Sequence, residues 1–140
     1  MRNIGLIFSG SIITLIGIGH LFFPTFGYSE DVQSYLRQSP QIADHFYYLA
    51  TYAICSFLLF MGTTTIYMGS LKDSAQNPQF IRFFIIMSIV LWSARLLMEL
   101  KYPVKLSLFG ISEPTNSLFI ALSLIIIGFM VGLAKVLQAE

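Results

Sequence analysis

The chain has 140 residues, of which 56% are hydrophobic and 11% charged, with a net charge of +1. A soluble domain carries about 25% charged residues, so this composition cannot cover a water-facing surface, and lipid must do so. No basic stripe exists to neutralise phosphates, which excludes a nucleic-acid partner.

A spanning helix needs roughly 20 apolar residues, at about 1.5 Å each, to cross a hydrocarbon core of about 30 Å. Uncharged runs of that length occupy Ile4–Phe23, Phe46–Leu71 and Thr115–Ala134, and a fourth apolar stretch surrounds Arg95 and Glu99. These runs predict an all-α, four-helix transmembrane bundle, up-down-up-down, filling residues 1–140 as one membrane domain. No room is left for a soluble domain.

Helix one is predicted over about residues 4–23, ending before Pro24. Met-Arg-Asn ahead of an apolar run superficially resembles a secretory signal. The run is too long for a typical signal core and lacks a small-residue cleavage pattern, so it reads as a retained helix. Gly10, Thr14 and Gly17 share one face and mark a close-packing seam. His20 sits at the far end of the same helix.

The connection that follows is long and polar. Ser29-Glu30-Asp31 has the composition of a helix start, and Val32, Tyr35 and Leu36 follow at i, i+3, i+4 spacing. A short amphipathic helix on the membrane surface is expected there, in the first outer loop. Ser39-Pro40 then opens helix two, over about residues 40–68. His45, Tyr48, Tyr52, Ser56, Thr63 and Tyr67 cluster on one face of it. Lipid offers such groups no hydrogen-bond partner, so this stripe is expected to point inward. Cys55 is the sole cysteine; it has no intrachain disulfide partner and belongs to no CxxC pair, so it reads as a packing thiol.

Asn77-Pro78 repeats the cap-then-proline start, and helix three is predicted over about residues 78–100. Ser88, Trp92, Arg95 and Glu99 fall in a narrow stripe at about 100° per residue. Arg95 and Glu99 stand at i and i+4, where they can satisfy each other. Two readings follow: an interfacial staple with Trp92 in the aromatic belt, or a polar site facing the bundle interior. Ser112-Glu113-Pro114 starts helix four, over about residues 113–137, whose Ala121, Gly128 and Gly132 share a face. The GxxxG pair serves an intrachain or a subunit contact equally well. Phe26–Glu30 and Phe109–Glu113 echo each other after helices one and three, as a duplicated hairpin would require.

Arg2, Lys72, Arg82 and Lys135 fall on the side of both termini, against Arg37, Lys101 and Lys105 on the other. By the positive-inside rule both termini are cytoplasmic, in a multi-pass protein of a bacterial inner membrane. His20, His45, Tyr48 or Tyr52, Arg95 and Glu99 then converge at one depth on the outer side. This is the candidate site. Paired histidines can ligate haem iron, and Arg95 or His20 can donate to the carbonyl of a lipid-soluble ligand such as a quinone. No metal site is predicted, and the sequence specifies no cofactor. HExxH, nucleophile-elbow, Walker and dinucleotide signatures are all missing.

The glycine-bearing first helix (Gly10, Gly17, Gly19), its exit His20-Leu21-Phe22-Phe23-Pro24 and the total length resemble the DoxX-like group of small four-helix membrane proteins. The resemblance is one of layout and implies an accessory role beside a membrane redox enzyme. The long acidic first loop and the Arg95–Glu99 pair depart from that group. Taken together, the expectation is a non-catalytic accessory or assembly subunit in contact with lipid and with a membrane-protein partner or a second copy. The alternatives are a quinone- or haem-binding redox-linked protein and a small oligomeric channel or transporter.

Overall fold

The computed structural model describes residues 2–22, 38, 40–71, 77–101 and 114–138, and of residues 40–48 and 114–117 it describes the backbone alone. The fold is all-α. Its helices are α1 (Ile4–Leu21), α2 (Pro40–Ser70), α3 (Pro78–Lys101) and α4 (Pro114–Gln138), with no strand among the described residues. Each contains a stretch long and apolar enough to cross a membrane: Ile4–Leu21, Leu49–Ser70, Pro78–Lys101 and Leu118–Gln138. The chain is therefore a small multi-pass membrane protein built as a four-helix bundle. The expected surface helix after α1, the echo between Phe26–Glu30 and Phe109–Glu113, and the Ser112-Glu113 start signal lie outside the described residues.

Local signals set the helix starts. The Asn77 side-chain oxygen accepts from the Gln79 and Phe80 N–H groups at 3.1 and 3.3 Å, and Pro78, with no N–H to satisfy, takes the first helical position. Asn3 caps α1 in the same way, accepting from the Leu6 N–H at 3.3 Å. At the other end of α1 the Phe22 N–H closes on the Gly19 carbonyl at 3.0 Å.

α1 is central, packed against α2 on one side and α4 on another, and α3 joins through α4. Glycines allow the two α1 contacts. A Cβ at Gly5 would stand 2.5 Å from the Gly128 carbonyl oxygen and 2.6 Å from the Gly132 nitrogen. Gly10 meets the Gly62 carbonyl, Gly17 meets Leu58 and Leu59, and Gly69 meets Asn3 and Ile7. The pairings run down one helix as they run up the other, so α1 is antiparallel to α2. Cys55, buried on this seam, donates its thiol to the Gly17 carbonyl at 3.2 Å. Between α1 and α4 the buried Ser9 hydroxyl donates to the Ile125 carbonyl at 3.0 Å.

Leu6, Ile13, Ile85, Leu122, Ile125 and Phe129 fill the core. Phe129 meets Phe84 edge-on, with ring centroids 6.4 Å apart, an arrangement favoured by the ring quadrupoles. Leu15, Phe60, Phe83 and Leu97 lie on the outer surface, where a bilayer accepts them.

Candidate functional site

α3 carries the polar stripe into the bundle. Ser88, Trp92 and Glu99 are buried, Trp92 with 4% and Glu99 with 1% of its surface exposed. Arg95 pairs with Glu99 at 2.8 Å while keeping 39% of its side chain exposed. In water an Arg placed N-terminal to a Glu is the weaker order for such a pair. Within an apolar span the comparison changes, because an unpaired charge near the bilayer centre costs about 2.5–3.5 kcal/mol. The Glu99 carboxylate thus stays inside because Arg95 stands over it.

The end of α1 contributes His20. Its Nδ1 lies 2.8 Å from the Ile16 carbonyl, and a carbonyl only accepts, so Nδ1 carries a proton. Arg95 and Glu99 pair with each other on α3, while α1, which carries His20, packs against α2 and α4. The side chains of His45 and Tyr48 lie outside the described residues.

The stripe on α2 requires a correction. Tyr52, Ser56, Thr63 and Tyr67 are exposed, and the inward face of α2 is Thr51, Cys55, Leu58, Thr65 and Met68. Close approach to α1 at Gly10 and Gly62 demands small groups, which tyrosines are not. A threonine hydroxyl needs no interior either: Thr63 donates to the Leu59 carbonyl of its own helix at 2.7 Å. Trp92, open to a belt role from sequence, is instead buried.

Gly10, Gly17, Gly128 and Gly132 all lie against other helices of the same chain. Asn3 does more than its sequence context indicated. Its N–H donates to the Gly69 carbonyl at 2.8 Å and its side-chain amide to the Gly132 carbonyl at 3.0 Å, so one buried residue ties α1, α2 and α4 together. An Asn directly before an apolar run is a cap signal; the two ties across the bundle have no local signature. Nearby, the Lys135 ammonium donates to the Arg2 carbonyl.

Among the described residues no group of three or more His, Cys, Asp or Glu is placed to hold a metal ion. No family model, curated protein or solved structure matches the chain. The findings fit a small four-helix membrane protein, and the DoxX-like likeness rests on layout alone.

Proposed function

We propose that this protein binds a lipid-soluble, carbonyl-bearing ligand at the Arg95–Glu99 pair near the end of α3. One observation carries the reading: a carboxylate with 1% of its surface exposed, held by an arginine that is itself 39% accessible, inside a membrane span. Apolar residues would fill the same volume at no greater cost, since replacing a buried ion pair by hydrophobic residues is often neutral or stabilising. Arg95 has five N–H donors in a fixed fork, more than one carboxylate can use. The DoxX-like layout implies a place beside a membrane redox enzyme, where a redox-linked ligand such as a quinone would be at hand. With the up-down-up-down course and both termini cytoplasmic, as the Lys and Arg distribution favours, the site opens toward the outer leaflet of a bacterial inner membrane.

The test uses the whole chain in lipid nanodiscs with tritiated decylubiquinone. Wild type is expected to retain the probe saturably, and Arg95→Gln to weaken retention by roughly tenfold, the scale of a lost charged hydrogen bond. Retention that rises linearly without saturating, or that ignores Arg95→Gln in a folded variant, overturns the reading. A Soret band in the optical spectrum of the purified protein would replace the quinone with haem.

A second reading, an accessory subunit, is favoured by the exposed Ser56 in the α2 span, which a membrane partner would cover. The glycine seams do not support it, because they are occupied within the chain. A protein that runs alone, or as a homodimer, at every detergent level after gentle solubilisation would remove this reading.

A further inference from the structure

We infer that the indole N–H of Trp92 is a second ligand donor, and that Trp92 and Arg95 together select a neutral molecule with two acceptor oxygens. This rests on the ligand site proposed above and names the class of compound it takes. Trp92 is 4% exposed, and its Nε1 is buried with no hydrogen-bond partner. Buried indole N–H groups normally find an acceptor, and one that does not requires an explanation. The neighbouring helix surface does not supply it. Ser88, one turn before, is buried on the same stripe yet makes no bond to the indole. Glu99 lies about 10 Å further along the helix axis, and its carboxylate is engaged by Arg95.

An indole N–H can only donate, and so can a guanidinium. The site therefore presents two donors on one stripe, about 4.5 Å apart along the axis. Their complement is a pair of acceptors, and a cation or a molecule rich in donors would leave both unmet. Charge narrows the class further. Arg95 and Glu99 sum to zero, so an anionic ligand gains no net attraction from the pair and is repelled by Glu99, whereas a neutral ligand is not. A para-quinone, whose carbonyl oxygens stand on opposite sides of one ring, meets these conditions; a hydrocarbon or an anionic lipid headgroup does not.

Trp92 is the sole tryptophan of the chain, so its indole N–H gives a single resonance in a protein labelled with 15N-tryptophan. Decylubiquinone added to the nanodisc-embedded protein is expected to move that resonance downfield and saturably, while decylbenzene, which has the same tail and no acceptor, leaves it in place. Trp92→Phe is expected to weaken retention of tritiated decylubiquinone by roughly three- to tenfold, the scale of one neutral hydrogen bond. A resonance that stays still while decylubiquinone binds saturably and responds to Arg95→Gln overturns the role of Trp92 and leaves the ligand site standing. Equal shifts from both probes also overturn it. Absence of any saturable binding removes the site and this inference together. The wild-type resonance decides the matter even if Trp92→Phe does not fold.

Discussion

The two ends of the bundle treat their polar groups in opposite ways. At the end holding the termini, Asn3 is buried and both its main-chain N–H and its side-chain amide and oxygen are bonded, to Gly69, Gly132 and Leu6. Glycines bring backbones into contact around it, and Asn3 uses its polar groups to join helices. At the opposite end, Trp92, Arg95 and Glu99 enter the bundle from one helix, and the indole N–H has no partner. Donors already used by the fold hold a structure together. Donors left over inside it are available to something else. The contrast is open to attack from either end, and the sharpest tests run from the largest expected loss of stability to the smallest.

Gly5→Val is the most severe. Its side chain would begin 2.5 Å from the Gly128 carbonyl oxygen, against backbone that cannot yield. Overpacking typically costs about 1–3 kcal/mol and occasionally more, and the top of that range is expected here, read as an unfolding free energy in mixed micelles. A variant as stable as wild type would mean that α1 and α4 do not meet through their backbones. Asn3→Ala follows. It removes a helix cap of about 1 kcal/mol and a hydrogen bond between helices of about 0.6 kcal/mol. The same measurement should show a loss of between 1 and 2 kcal/mol on these scales, with retention of decylubiquinone by the folded fraction unchanged. Weakened retention would show that the two ends are coupled rather than separate.

How much of this was legible beforehand differs residue by residue. The helices were, because a span must be apolar for its whole length and because Asn77-Pro78 and Ser39-Pro40 state where helices begin. Arg95 and Glu99 were legible for the reason that makes them costly, being charges where lipid should be. The face of α2 was not. A hydroxyl in a helix can bond its own preceding turn, as Thr63 does, so polarity alone does not say which side turns inward, and the small residues Cys55 and Gly62 were the better guide. Asn3 was not legible: its place before an apolar run suits a cap, but its ties to Gly69 and Gly132 depend on where α2 and α4 come to lie. Trp92 had a belt or a core position equally open to it, since the choice belongs to the neighbouring helices and not to α3.

Ser56→Leu carries a smaller effect. The residue is exposed and away from the α1 seam, so stability should stay within about 0.5 kcal/mol. Association with a membrane partner, if that face is an interface, would fall in a co-purification experiment while stability is kept. A loss of stability in the isolated chain would instead place Ser56 in a contact within the protein.

The smallest expected change in stability separates the two ends most cleanly. In Arg95→Leu/Glu99→Leu the ion pair gives way to apolar side chains that suit the span. If the pair is a staple, removing it should cost stability, as Asn3→Ala does. If it is kept for binding, the double variant should be as stable as wild type or more so, because both desolvation costs vanish with the charges. Retention of decylubiquinone should then drop by roughly tenfold or more, with one charged donor gone. A variant that unfolds readily yet binds normally whenever it is folded would assign Arg95 and Glu99 to the same work as Asn3. The unmet indole N–H of Trp92 would then be the sole polar group at that end not accounted for by packing among the described residues.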